Sequence, residues 1–311
     1  MQQYKQEWFG NIRGDILAGI VVCLALFPEV IGFMIVAGVP PIVGVYATFF
    51  ITAIAAFFGS SKGMISAAAG SVALVLAHLV AEYGIQYLFA ATILAGILQV
   101  ALGLLKVGTL MRYIPKPVMT GFVNGLGIMM FTSQLDHFQG SLLLPLLGLL
   151  GIAIIFLFPR VTNKIPAPIV AIFVITAIVL GFGLDVKTLG DMGSISTDLP
   201  RFGIPAVPMT LETLRIIFPT ALSVAIVGLV ESLLTAQLVD EITEEKSDKN
   251  QETLSQGLGN VVSGFFGGIA GCGMIGQTII NLNYGGLGRL ATFLSGFFML
   301  LSVVLLNGSV V

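Results

Sequence analysis

GGIAGCGMIGQTIINLNYGG, residues 267–286, carries seven glycines in twenty positions, and in water it would read as a loop. The chain around it rules water out as the main solvent. Of 311 residues 56% are hydrophobic and 10% charged, with a mean hydropathy of +1.02, which marks an integral membrane protein. Inside a bilayer an irregular run must be buried in protein or face a wet cavity, because unpaired backbone groups in hydrocarbon are costly. The run therefore belongs to a special place in the fold.

Working outward from it, apolar segments separated by short polar breaks recur near 16–36, 42–58, 69–81, 87–105, 117–135, 141–158, 167–182, 212–238, 253–266, 274–283 and 288–306. They predict eleven helices. The first, from Ile16 to Val39, holds one charge, Glu29, and is long enough to cross a hydrocarbon core of roughly 30 Å. The third and tenth are short, and each follows a run of small residues: GMISAAAGS before one, GGIAGCG before the other. With the amino terminus in the cytoplasm, eleven basic residues fall inside (Lys5, Arg13, Lys62, Lys106, Arg112, Lys116, Arg160, Lys164, Lys246, Lys249, Arg289). Only Lys187, Arg201 and Arg215 fall outside. That bias requires both short segments to cross once. The connection 184–211 is then an irregular extracellular loop.

ATILAG at 91–96 recurs as ATFLSG at 291–296, and Gly108 recurs as Gly308. Each copy follows a small-residue run and a short helix, and the two crossings run in opposite directions, so the pattern is an inverted repeat. By this alignment the first half continues through three spans, 117–182, that have no counterpart before Val311.

A helix amino terminus offers unpaired N–H donors and about half a positive charge, a ready anion site when buried. Ala69, Gly70 and Ser71 at one short helix and Gly273, Met274 and Ile275 at the other are expected to meet near the midplane and bind an anion. Close helix packing through small residues is the competing reading. Glu231, inside an apolar span, is expected to carry a proton or to balance a coupling cation, with Thr235 one turn later on the same face. A carboxyl hydrogen-bonded to Thr235 is the structural alternative. Glu29 follows Pro28, where proline interrupts the helix, and is read either as facing the same cavity or as part of a kink. His78 reads as a core residue, and Cys23 and Cys272 as small buried ones. No metal or cofactor motif, nucleophile elbow or phosphate loop is present in the sequence, so an enzyme is not expected. The net charge of −2 argues against a nucleic-acid partner.

Four stretches carry a family resemblance: NIRGDILAGIVVCLALFPEVIGFMIVAGVPPIVGVYA at 11–47, YIPKPVMTGFVNGLGI at 113–128, GLVESLLTAQLVD at 228–240 and NQETLSQGLGNVVSGFFGGIAGCGMIGQTIINLNYGG at 250–286. The chain resembles the SulP family of inorganic anion transporters, often called sulfate permeases. The resemblance implies an all-α membrane protein of seven plus seven inverted segments. A core (1–116 and 212–308) would move against a gate (117–183), in the inner membrane and as a homodimer at full length. It implies an anion between the third and tenth segments and symport with protons, or exchange. Sodium-coupled bicarbonate uptake is the alternative, and a non-transporting anion sensor the reading from another class. Sodium carriers of the family pair the acidic residue and threonine, here Glu231 and Thr235, with a hydroxyl where this chain has Ala69. The chain also ends before segments twelve to fourteen and the STAS domain, so the expectation is a fragment that does not transport alone.

Overall fold

Glycine and proline at the polar breaks become helix boundaries. Gly38, at φ 71°, ends one helix in the left-handed region, and Pro41 opens the next at a position where its missing N–H costs nothing. The computed structural model describes residues 2–113, 116–135, 142–162, 165, 167–184 and 199–305. In chain order the elements are α1 (Gln2–Phe9), α2 (Ile12–Ala37), α3 (Pro41–Phe58), β1 (Ser66–Ala68), α4 (Gly70–Tyr83), α5 (Ile85–Leu104), α6 (Lys116–Gln134), α7 (Leu143–Leu157) and α8 (Ala167–Phe182). They continue with α9 (Leu211–Thr243), α10 (Lys249–Phe265), β2 (Gly271–Gly273), α11 (Ile275–Asn283) and α12 (Arg289–Leu305). Helices α2 to α12 answer the eleven predicted segments.

Three differences have physical causes. The helix α1 was not expected because its sequence QQYKQEWF is polar. The ends of α9 and α10 reach past the apolar windows, since LVDEIT and KNQE are helical without being hydrophobic. The third concerns Pro28, which does not interrupt α2: the helix runs through it, as α9 runs through Pro219. Lys164, Lys187, Gly308 and residues 185–198 of the expected extracellular loop lie outside the described residues.

The chain divides into two compact units, Met1–Asn124 with Ile195–Asn307, and Gly125–Ser194 with Gly308–Val311. In the second, α7 packs on α8, where a Cβ at Gly151 would lie 3.2 Å from the Ile175 side chain. The first holds the repeated segments of both halves, interleaved. Helix α5 of one half lies against α10 of the other, and α12 lies against α3. The recurring glycine of ATILAG and ATFLSG sits at both crossings. A Cβ at Gly96 would come within 2.6 Å of the Gly257 carbonyl oxygen, and one at Gly296 within 3.1 Å of the Phe49 Cα. At the first crossing the contact is reciprocal, since a Cβ at Gly257 would lie 2.6 Å from Val100 N. Gly257→Val is therefore expected to push α5 from α10 and to lower stability by about 1–3 kcal/mol. Thermal unfolding in detergent checks this, and an unshifted midpoint would mean the contact is slack.

At one end of this unit the charged residues gather. Arg289 donates to Glu7 at 2.7 Å and to the carbonyls of Ala56 and Gly59 at 2.9 and 2.8 Å, closing off α3. Lys62 bonds Glu245 at 2.7 Å and stands 3.6 Å from Glu7. Partial burial pulls the Glu7 carboxyl upward, but the hydrogen bond and charge of Arg289, with Lys62, outweigh it and hold the group below its ordinary range. The Lys62 ammonium is held above its ordinary range by Glu245, against the opposing effect of burial. These groups, with Asp240, Lys246 and Asp248, line a cavity of about 1200 Å³. Lys62, Lys246 and Arg289, set on one side of the bilayer by the basic-residue count, thus share one polar rim.

Candidate functional site

The small-residue runs become two three-residue strands. Strands β1 and β2 pair antiparallel with Ser66 opposite Gly273, Ala67 opposite Cys272 and Ala68 opposite Gly271. Each strand leads directly into a short helix, β1 into α4 and β2 into α11, so the helix amino termini stand at opposite ends of the ladder. Ala69 and Met274 are the N-cap residues, with no side-chain cap, and four residues of offset put them about 13 Å apart along the strands.

Glycine in β2 has two separate uses. A Cβ at Gly273 would lie 3.0 Å from the Ser232 Cα, so the strand lies directly on the backbone of α9, and this part of the run is close packing. A Cβ at Gly276, in the first turn of α11, would meet nothing within 4 Å. There the backbone is open.

A two-stranded ladder leaves outer edges, and side chains complete them. Asn260 of α10 pairs with Gly271 as a neighbouring strand would: its Oδ1 accepts from Gly271 N at 2.8 Å, and its Nδ2 donates to Gly271 O at 3.1 Å and to Gln99 at 2.7 Å. Ser232 accepts from Gly273 N at 2.8 Å, Thr235 donates to Gly273 O at 3.1 Å, and Thr278 accepts from Ile65 N at 3.0 Å. Gln256 donates to Ser66 Oγ at 2.6 Å and to Glu252, whose carboxylate also accepts from the N–H groups of Ser60 and Ser61. Glu252, Gln256 and Asn260 are buried and spaced four apart, one polar stripe of α10 aimed at the ladder. Sequence reasoning quoted this stretch only as a family signature. The signal that could have found its role is a polar stripe at helical spacing in an otherwise apolar chain.

A carboxylate stands at the start of each short helix. Glu231 of α9 accepts, through Oε2, from the Ser71 hydroxyl in the first turn of α4 and from the Cys272 thiol at the centre of β2, the latter at 2.8 Å. Glu29 of α2 accepts from Gln277 in the first turn of α11. Because α2 and α9 lead the two halves of the repeat, the two carboxylates occupy corresponding places.

Of the residues expected from sequence, Ser71 and Glu231 are brought into direct contact, and Ala69, Gly70, Gly273, Met274 and Ile275 surround the two helix starts. Glu29 lies at the α11 start, bonded to a residue sequence reasoning did not single out. Thr235 does not bond the Glu231 carboxylate. Its hydroxyl donates to the Glu231 carbonyl at 2.8 Å as well as to Gly273 O. His78 is not a core residue, since its side chain is 88% exposed and stands 3.6 Å from Glu82. Among the described residues no three His, Cys, Asp or Glu side chains gather as metal ligands.

Known proteins are similar to this chain in sequence and in fold. The Sulfate permease family model matches residues 12–143 and 142–310. The Bacillus subtilis protein named "Putative sulfate transporter YbaR" is 56% identical over 99% of this chain and 64% of its own length. The "Bicarbonate transporter BicA" of Picosynechococcus sp. is 30% identical over 98% of this chain and 59% of its own length. The chain thus spans less than two thirds of these curated relatives. Its fold matches the transmembrane domain of a cyanobacterial BicA with a TM-score of 0.84 at 27% identity, covering 95% of this chain and 83% of that one. The murine anion transporter Slc26a9 in its inward-facing state gives 0.78 at 18% identity, over 96% and 57%, a likeness of fold alone. The polar-striped α10, the paired short strands and the two opposed short helices are thus the inverted-repeat architecture of a multi-pass membrane transporter, and the chain belongs to the sulfate permease family.

Proposed function

We propose that the full-length protein is a secondary transporter of an inorganic anion of the sulfate class, coupled to protons through Glu231 or running as an exchanger. The observation that carries this reading is the contact of Glu231 with both Ser71 and Cys272, which puts an ionisable group at the start of α4. An anion held by the N–H groups around Ala69, Gly70 and Ser71, and around Gly273, Met274 and Ile275, is favoured by the helix termini. It is opposed by an ionised Glu231. Two like charges roughly 5 Å apart repel by about 3 kcal/mol at an effective dielectric of ~20. Protonating Glu231 removes that repulsion, so anion and proton bind with mutual advantage, and linkage of this kind is what symport requires. Glu29 at the α11 start adds a second group of the same kind.

The residues of 1–116 and 212–308 form the moving core in this reading, and 117–183 belong to the gate. The amino terminus and the Lys62–Arg289 rim face the cytoplasm of an inner-membrane protein, which is a homodimer at full length. The likeness to BicA favours a second reading, sodium-coupled bicarbonate uptake through Glu231 and Thr235. Ala69, without a hydroxyl, weighs against it.

Uptake of labelled sulfate and bicarbonate into proteoliposomes of the full-length protein tests both readings. Sulfate accumulation driven by an inward proton gradient, abolished by a protonophore and indifferent to sodium, is the expected result. Uptake that requires sodium would replace proton coupling by the second reading. Saturable sulfate binding without any flux would make the protein a sensor.

A further inference from the structure

We infer that Cys272 is a positioning residue for Glu231: its thiol and the Ser71 hydroxyl clamp one carboxylate oxygen, Oε2, and leave Oε1 as the oxygen that takes up the proton. The inference deepens the proton-coupled reading and rests on it.

The geometry is asymmetric. Both side-chain donors converge on Oε2, one from the first turn of α4 and one from the middle of β2, and among the described residues no protein group bonds Oε1. Cys272 is itself fixed, since Ala67 stands opposite it in the ladder and it is 1% exposed. Its sulfur is thereby held 2.8 Å from Oε2, and the hydrogen turns about the Cβ–Sγ bond to meet it. A thiol is a weak donor with no charge of its own, so it orients the carboxylate without competing for the anion.

Among the described residues no other charged side chain bonds the carboxyl. Of the elements packed on α9, α4 carries Ser71 beside it and His78 and Glu82 two to three turns further on. From α5 come Gln99, bonded to the Ala225 carbonyl, and Tyr87, whose ring is tilted against that of Tyr83 at 5.3 Å. From α10 comes Glu252, held by Ser60 and Ser61, and from α11 comes Gln277, bonded to Glu29. Along α9 the nearest charged neighbour, Asp240, is paired with Lys249 at 2.7 Å.

A donor to the ionised form favours that form, so removing the thiol raises the pH at which Glu231 loses its proton. The test is infrared difference spectroscopy on the full-length protein in liposomes, titrated without substrate. The protonated-carboxyl stretch that vanishes in Glu231→Gln identifies the group. Cys272→Ala is expected to move its midpoint up by about one pH unit, and Cys272→Ser, which restores a donor, to return it to within about 0.3 units of wild type. Ser71→Ala removes the other donor and is expected to shift the midpoint in the same direction, which keeps the test open if Cys272→Ala fails to fold. If the Glu231 band titrates but its midpoint is the same in wild type, Cys272→Ala and Ser71→Ala, the clamp is wrong while proton coupling stands. If no band assignable to Glu231 titrates, the proton-coupled reading fails and the clamp with it.

Discussion

Asn260→Leu is expected to leave the protein without a stable core. Leucine keeps the branched skeleton of asparagine and suits a membrane helix, so the damage comes mainly from lost hydrogen bonds, with the extra bulk of its methyl groups at a fully buried site adding to it. Three buried partners lose theirs: the N–H and C=O of Gly271, and the Gln99 side-chain oxygen. Each stranded group costs about 1–3 kcal/mol, about 3–9 kcal/mol together, against a total stability of about 5–15 kcal/mol for a typical domain. The measurement is the yield of monodisperse protein by size exclusion in detergent, with its thermal midpoint. A variant that purifies and melts like the wild type would show that Asn260 does not act as the third strand of the ladder.

Glu231→Gln is expected to uncouple transport from protons. Glutamine matches the protonated carboxyl in shape, and its oxygen can still accept from Ser71 and Cys272. The anion site survives and its like charge is permanently gone. Proton-driven accumulation of sulfate should fall by the full coupling factor, about 5–150-fold for a coupling of about 1–3 kcal/mol. Sulfate counterflow, which needs no net proton movement, should persist. Both are read in the same proteoliposomes. Unchanged accumulation under a proton gradient would remove Glu231 from the coupling path.

How far the sequence carries can be judged from these two residues. The apolar windows and the basic-residue bias locate α2 to α12, because crossing a bilayer demands length and hydropathy that few other structures need. The Gly-rich runs give away both short helices for the same reason: in lipid, irregular backbone has to be accounted for. Polar helix ends escape, as α1 and the last turn of α9 do, because nothing in a hydropathy window marks them. Glu231 stands out by its cost in an apolar span. Its contacts do not: Ser71 was expected at the anion site and Cys272 as a small buried residue, but their bonds to Glu231 span 160 and 41 positions. Thr235 was the natural candidate by helical spacing, yet its hydroxyl turns to backbone carbonyls, where a buried strand end had the stronger need. Asn260 is marked locally only by the polar stripe it shares with Glu252 and Gln256, and its partner is not marked at all, because the strand it completes exists only once the two halves of the chain have met.

That meeting also limits what one repeat can do by itself. Strand β1 belongs to one repeat and β2 to the other, so neither repeat can pair its own extended segment, and a lone copy would leave an unpaired strand edge at membrane depth. The two repeats are therefore one folding unit, since the backbone of each is satisfied only by the presence of the other.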